Sequence, residues 1–165
     1  MSTRGTIVVG VDGSDGSRTA LEFALEDAAR RGAAVRVLCA LPEADYWATA
    51  YAMTPSLLQE LAADVEKVGR DMVDTVIRER GGAIAGVPVE IPAVGGSPAH
   101  VLVSAARDAD LLVVGRRGRG GLRSAVLGSV GLQCVLHASV LVTVVRPVPQ
   151  SRAAGDKREP AEARA

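Results

Sequence analysis

The amino-acid sequence predicts an α/β protein built on a single open, mostly parallel, five-stranded twisted sheet with helices on both faces. The main observation is that short apolar, β-branched runs alternate with longer runs of helical periodicity along the chain. The chain has 165 residues, which suits one domain, and 48% of them are hydrophobic, enough for a sizeable core. Only four residues are aromatic, so the core must be aliphatic and a base-stacking platform for oligonucleotides is disfavoured.

The first predicted strand is Thr6–Asp12, a short apolar run. The segment DGSDGS that follows is a turn rich in helix-capping residues. A helix is predicted over Ser17–Arg31 and can end at Gly32. Its apolar stripe comprises Ala20, Leu21, Ala24, Leu25 and Ala28. The second predicted strand is Ala34–Leu41.

The next helix is predicted over Pro55–Arg80, since proline suits the first turn and Thr54 can cap it. Its predicted apolar stripe comprises Leu57, Leu61, Val65, Val68, Met72 and Val76. The loop before it, Pro42–Thr54, carries Tyr46, Trp47 and Tyr51, which either form a lid over a ligand or pack on themselves. A third strand is predicted over Val87–Val94, irregular because it contains two prolines.

The last third of the chain repeats the alternation. A short helix is predicted from Ser97 to Arg107, a strand over Asp110–Gly115, a helix over Ser129–His137 and an apolar strand over Val140–Val145 at a sheet edge. The folded domain is therefore expected to cover residues 1–149. Residues 150–165 are charged, rich in alanine and without an apolar stripe, which predicts a disordered tail.

The charge of the chain is balanced overall but unevenly distributed. There are 19 basic and 19 acidic residues, which excludes a globally basic nucleic-acid binder. Residues 111–150, however, carry five arginines and no acidic residue. The positive potential of the folded part is therefore predicted to lie in this late segment.

That segment contains a glycine-rich loop between the fourth strand and the last helix. Glycines allow a backbone to approach a ligand closely, and successive N–H groups can form an anion-binding nest. Gly128 and Ser129 open the next helix, whose N-terminus offers unpaired donors and the positive end of the helix dipole. Four arginines add positive charge: Arg116, Arg117, Arg119 and Arg123. The loop therefore predicts a phosphate site, although it has neither the dinucleotide-binding fingerprint nor the lysine of a P-loop.

The spacing Gly115-x2-Gly118-x9-Gly128-Ser129 resembles the G-2x-G-9x-G-[S/T] pattern of the ATP-binding universal stress proteins. An opening strand that ends in VGVDGS, the SPA segment before a helix, the strand DLLVVG and the closing VLVTVVRP are also similar to that family. The resemblance covers about residues 5–147, nearly the whole predicted domain.

The resemblance implies a Rossmann-like fold that binds ATP, with any Mg²⁺ carried by the phosphates. It implies that Asp12 lies at the nucleoside and that Ala40 contacts adenine through its backbone. The ribose and phosphate path would be lined by Val114, Gly115, Arg117 and Gly118, and the phosphates would be held by Gly128, Ser129 and Val130. Gly131 stands where many members carry a side chain, often a hydroxyl. The family also implies a homodimer formed largely through the fifth strand.

The predicted function is that of a cytoplasmic, nucleotide-responsive stress or regulatory protein that is not an enzyme. Hydrolysis usually needs a base near the phosphates, and residues 111–150 contain no carboxylate. Asp12 either caps the turn after the first strand or helps to hold a metal on the phosphates. Three alternatives stay open: a nucleotide-independent interaction or scaffold protein of the same fold, a cyclic AMP binder, and a slow ATPase or nucleotidyl-transferring enzyme.

The two histidines and the two cysteines are predicted to have structural roles. His137 is expected to lie at the end of its helix, where a cation interacts well with the dipole, and His100 on the surface. Two cysteines, Cys39 and Cys134, are too few for a disulfide scaffold or a metal site, and their apolar surroundings predict buried, reduced thiols. No apolar run approaches the ~20 residues that cross a bilayer, and no signal peptide is recognised.

Overall fold

The computed structural model describes residues 5–39, 55–92, 94–116 and 127–147, and the five predicted strands lie in one sheet. The strands are β1 (Thr6–Val11), β2 (Ala34–Cys39), β3 (Val89–Glu90), β4 (Leu111–Gly115) and β5 (Leu141–Val145). Their order in the sheet is β3-β2-β1-β4-β5, and every pair is parallel. The predicted fold class is confirmed, with all described strand pairs parallel.

Four helices cover the two faces of the sheet. They are α1 (Asp15–Arg31), α2 (Pro55–Arg80), α3 (Pro98–Ala105) and α4 (Ser129–His137), with a short 3₁₀ segment at Gly82–Gly86. The bounds of α2 and α4 agree with the sequence prediction. Within the described ranges, no helix is both long and apolar enough to cross a membrane.

The core consists of one apolar layer on each face of the sheet, because successive strand residues point to opposite faces. Ile7 and Val9 of β1 pack with α1 and α2 in the first layer. Val8, between them, belongs to the second layer with residues of α3 and α4. All three side chains are at most 1% exposed. These two layers hold the helices against the sheet and so position their first turns at its carboxyl edge.

Helix α1 begins two residues earlier than the sequence predicts, because Ser14 caps it. The Ser14 side chain accepts a hydrogen bond from the Ser17 N–H group. The helix ends as predicted at Gly32, whose φ of 67° lies in the left-handed region that favours glycine. The whole predicted stripe is fully buried: Ala20, Leu21, Ala24, Leu25 and Ala28.

Three other predictions differ from the structure, besides single-residue shifts at one end of β1, β4 and β5. The third strand was expected over Val87–Val94 but is only Val89–Glu90, because prolines on both sides cannot donate ladder hydrogen bonds. Val68, expected on the buried stripe of α2, is 51% exposed because it lines an open groove. Helix α3 ends at Ala105 rather than Arg107, since the Arg107 N–H already bonds Ser104 in a tighter turn.

Strand β5 forms one edge of the sheet, as predicted. Its Leu141 is 74% exposed and its Val144 36% exposed, both high for aliphatic strand residues. The predicted aromatic loop, residues 117–126 of the glycine-rich loop and the predicted tail lie outside the described residues.

Candidate functional site

The candidate site lies where β1 and β4 end side by side. These neighbouring strands lead into connections that run in opposite directions, β1 toward β2 and β4 toward β5. Open parallel sheets bind ligands at such a switch point, outside the carboxyl ends of the strands. The structure therefore brings together the points at which two of the three predicted loops begin, after Asp12 and after Gly115. The third follows β2 and lies outside the described residues.

Asp12 leads the chain from β1 into a tight turn. Its Oδ1 accepts hydrogen bonds from the Ser14 backbone N–H at 3.0 Å and from the Ser14 hydroxyl at 2.6 Å. The Ser14 Oγ in turn accepts from the Ser17 N–H at 3.2 Å. The capping role predicted for Asp12 is therefore observed, and its carboxylate is held against the start of α1.

The end of β4 lies directly against the start of α1. A Cβ placed on Gly115 would be 2.7 Å from both the carbonyl carbon and the oxygen of Gly16, and 3.1 Å from the Ser17 nitrogen. These are backbone atoms, so no side chain can be added without moving the helix. A glycine at position 115 therefore allows this approach of strand and helix.

The start of α4 lies on the other side of β4. The Gly128 N–H donates to the Arg116 carbonyl at 2.9 Å, which ties the helix start to the residue after β4. The Cβ of a residue at position 131 would lie 3.7 Å from the Gly115 carbonyl oxygen. Two helix starts therefore converge on the end of one strand.

The two helix starts differ in how their N–H groups are satisfied. The first N–H groups of any helix have no intrahelical partner. Ser14 caps α1 with its side chain, whereas Gly128, the cap of α4, offers no side-chain hydrogen bond. Ser129, the first residue of α4, is exposed. This arrangement suits an anion, since a phosphate could accept the α4 bonds and gain from the dipole.

Six of the nine predicted site residues lie in the described part of the chain. At the switch point are Asp12, Val114, Gly115, Gly128, Ser129 and Val130. Val114 is 4% exposed and its side chain packs in the second core layer, so only its backbone is available to a ligand. Ala40, Arg117 and Gly118 lie outside the described residues, so their predicted roles stay predictions.

Sequence reasoning missed Ser14 and Gly16. The signal was present, because the segment DGSDGS was recognised as a capping turn, but nothing in it distinguished the residue that holds Asp12. An open groove of about 350 Å³ adjoins this turn on the α2 side, lined by Ser14, Asp15 and Arg18 of the turn and first helix and by Val68 and Met72 of α2, among others.

The histidines and the acidic residues do not form a metal centre in the described part of the chain. There, no group of three or more His, Cys, Asp or Glu side chains could hold a metal ion. His137 lies in the last turn of α4, as predicted. His100 is exposed on α3, which agrees with its predicted surface position.

The two cysteines are free and buried, as predicted. Cys39 ends β2 and is 6% exposed, and Cys134 on α4 is fully buried. Burial disfavours the thiolate and raises the pKa of each thiol to about 11. Neither cysteine therefore has the character of a nucleophile.

We expect both thiols of the folded protein to react very slowly with a disulfide reagent at pH 8, where about one in a thousand is ionised. Unfolding in denaturant should release two fast-reacting thiols. The free energy of unfolding should also fall as the pH rises from the ordinary thiol value toward 11, because the unfolded chain ionises its thiols first. Fast labelling of the folded protein would contradict this prediction.

The fold and this edge define a doubly wound α/β protein, a class in which ligands bind at the switch point. A family model described as the universal stress protein family matches residues 3–146. The chain belongs to the universal stress protein family.

Individual relatives agree with this assignment. Universal stress protein Rv1996 of Mycobacterium tuberculosis (strain ATCC 25618 / H37Rv) is 30% identical over 159 residues, covering 87% of this chain and 49% of the relative. The chain thus spans about half the length of the curated relatives it matches.

Two solved structures share the fold over most of their length. Universal stress protein UspA from Lactobacillus plantarum is 25% identical with a TM-score of 0.63, covering 88% of this chain and 100% of that chain. A universal stress protein in complex with cAMP is 29% identical with a TM-score of 0.58, covering 88% of this chain and 98% of that chain.

Proposed function

We propose that the protein binds an adenine nucleotide at the switch point, with ATP as its ligand, and acts as a nucleotide-responsive stress or regulatory protein. The observation that carries the proposal is the start of α4, which has no side-chain cap. It lies beside the end of β4, with the family's glycine spacing around it. A phosphate chain fits this place because it supplies the acceptors that the helix lacks.

The described residues support a ligand that lies along the carboxyl edge of the sheet, with its phosphates and its nucleoside at the ends of different strands. The phosphates bind at Gly128, Ser129 and Val130, next to the arginine-rich segment, and any Mg²⁺ travels with them. The nucleoside lies toward Asp12, at the end of the neighbouring strand. Ala40 then contacts the adenine, and Arg117 and Gly118 follow the phosphate path.

The proposed activity is binding rather than catalysis. Phosphoryl transfer to water needs an oriented nucleophile and stabilised charge. Residues 111–150 supply arginines but no carboxylate, and the Asp12 carboxylate is already bonded twice by Ser14. Product formation over many turnovers would favour the alternative of a slow ATPase.

Replacing Gly128 with leucine is expected to abolish ATP binding in titration calorimetry. The side chain would stand at the cap of α4, where the phosphates approach. Gly128 has a φ of −67° and a ψ of 158°, which any residue adopts, so the fold should be retained. The matched control is Gly86→Leu, since a Cβ there meets nothing within 4 Å and lies beyond the opposite end of the strands. Unchanged affinity of the Gly128 variant would place the site elsewhere.

Cyclic AMP is the second candidate ligand, because the 29% identical universal stress protein was solved in complex with cAMP. Parallel titrations with ATP and cAMP separate the two. Tighter binding of ATP is expected, since a chain of phosphates can contact both the helix start and the arginines. If neither ligand binds, the alternative of a nucleotide-independent interaction protein is favoured.

We also propose that the protein forms a homodimer through β5. The strand lies at the sheet edge and exposes Leu141 and Val144. An apolar edge strand pairs readily with a second copy, and a two-fold axis would close the contact.

A further inference from the structure

We infer that Arg146 is a further binding residue of the proposed nucleotide site, where its guanidinium contacts the phosphate farthest from the nucleoside. The inference rests on the proposed function and names the part of the ligand that this residue recognises. Arg146 is the one arginine of residues 111–150 that lies outside the glycine-rich loop. Neither the glycine spacing nor the set of site residues implied by the family resemblance includes it. It follows β5 directly, at the carboxyl edge of the sheet.

The hydrogen bonds between β4 and β5 place Arg146 beside Arg116. The two parallel strands are in register at Gly115 and Val145. The Arg116 N–H continues the ladder by donating to the Val145 carbonyl at 2.8 Å. Positions 116 and 146 are therefore neighbours across the ladder, with their backbones about 5 Å apart, the usual spacing of paired strands.

Pro147 explains why the start of α4 lies at the same place. In a parallel ladder, the next donor to the Arg116 carbonyl would be the N–H of residue 147, and a proline has no N–H group. The Gly128 N–H donates to this carbonyl instead, at 2.9 Å. The cap of α4 thus takes the place of the next ladder bond, and the proposed phosphate site lies next to the end of β5.

The position of Arg146 in the strand pattern assigns it to the face of the sheet that carries α4. Successive strand residues point to opposite faces. Val142 packs in the second core layer, with residues of α3 and α4, whereas Val145 packs against the first layer. Position 146 continues the series of Val142 and therefore falls on the α4 face. The same alternation in β4 places Arg116 on that face together with Val114.

The charge of Arg146 is available to an anion. Arg146 is exposed, and it makes no ion pair with any residue that the structure describes. By contrast, Arg36 is paired with Glu90 and Arg80 with Glu22. The surrounding segment, residues 111–150, contains no acidic residue. A guanidinium suits phosphate because it can donate two parallel N–H bonds to its oxygens.

The order of the strands decides which phosphate Arg146 contacts. On this side of the sheet the order is β1-β4-β5, and the nucleoside is proposed to lie toward the end of β1. The phosphates then extend past the end of β4 toward the start of α4. Each strand adds about 5 Å to the path. A single phosphate on the nucleoside therefore stays near β4, whereas the chain of phosphates in ATP reaches Arg146.

The experiment compares Arg146→Gln and Arg146→Lys with the unaltered protein by titration calorimetry, using ATP and AMP as ligands. In Arg146→Gln the affinity for ATP should fall roughly tenfold, a typical effect of losing a hydrogen bond to a charged group. The affinity for AMP should hardly change, so the preference for ATP over AMP should shrink by the same factor. Arg146→Lys keeps the charge but not the planar fork, and its preference should lie between the two.

Arg107→Gln is the matched control. It removes the same charge from an exposed arginine between α3 and β4, at the opposite edge of the sheet. Its preference for ATP over AMP should equal that of the unaltered protein. An equal loss in both glutamine variants would show that net charge rather than position determines the affinity. An unchanged preference in Arg146→Gln would show that the phosphates do not contact this residue, and either result would overturn the inference.

Measurements without nucleotide separate a direct contact from an indirect effect. The urea unfolding midpoint and the sedimentation of Arg146→Gln should match those of the unaltered protein, since surface substitutions of this kind change stability little. A weaker ATP complex that comes with a lower midpoint or a changed oligomeric state would contradict a direct contact.

Failure of the proposed function has a different signature from failure of this inference. If the unaltered protein does not bind ATP at all, the nucleotide proposal fails and the role of Arg146 falls with it. If ATP binds no more tightly than AMP, or if Arg146→Gln keeps the full preference, the nucleotide proposal stands and only the contact of Arg146 is lost.

Discussion

Replacing Gly115 with alanine is expected to lower the free energy of unfolding by about 1–3 kcal/mol, the usual cost of overpacking a close-packed interior. The added methyl group would lie 2.7 Å from the carbonyl carbon and oxygen of Gly16. Backbone atoms cannot rotate away, so relief requires α1 and β4 to separate. Urea unfolding at a fixed protein concentration measures the effect, since any dimer makes stability depend on concentration.

Two other glycines provide matched comparisons. A methyl group at Gly131 would meet the Leu127 Cδ1 at 2.9 Å, and the end of a side chain can move at lower cost. A methyl group at Gly86 meets nothing within 4 Å. Stability should therefore fall most for Gly115→Ala, less for Gly131→Ala and hardly at all for Gly86→Ala. The same unfolding midpoint for all three variants would contradict the close approach of strand and helix.

The Gly115 substitution should also affect the site. Displacing the first turn of α1 moves Ser14, and the Asp12 carboxylate moves with it, because Ser14 holds both. Nucleotide affinity should therefore fall in this variant even though the added methyl group faces the helix. A glycine that the family pattern assigns to the ligand path thus has a second role in packing.

The fold was predictable because its signals are local. Runs of apolar residues with strand or helix periodicity predicted every described strand and α-helix, and Gly32 ended its helix as expected. The errors arose where something other than periodicity decides the outcome. The third strand is short because of its prolines, and Val68 is exposed because the groove beside it is open. Periodicity along one chain carries no information about such gaps.

The candidate site was predictable in outline for a similar reason. The glycine spacing located the start of α4, and the alternation of strands located the switch point. The contact of Gly115 with Gly16 joins residues about a hundred positions apart, and no local pattern in either segment reports it. The same holds for the bonds around Asp12, because DGSDGS contains two serines and only the folded structure shows which of them holds the carboxylate.

The proposed dimer depends on the backbone groups that β5 leaves at the edge. The Arg116 N–H donates to the Val145 carbonyl at 2.8 Å, so the peptide groups of Val145 point toward β4. Groups of adjacent strand residues point in opposite directions, and those of Val144 therefore face the open edge. Its side chain is 36% exposed as well. Val142 is less suitable for a test because its side chain packs in the second core layer.

Val144→Pro is therefore expected to convert the dimer into a monomer in sedimentation velocity. Proline removes an edge N–H without removing a bond to β4, and the extended Thr143 before it already has the backbone that proline requires. Val144→Thr keeps the N–H and the branched side chain, so it should remain dimeric. ATP binding should persist in the proline variant, because Val144 is not among the residues proposed to contact the nucleotide. A proline variant that stays dimeric would show that the copies meet through another surface, and loss of ATP binding on dissociation would show that the site needs the partner copy.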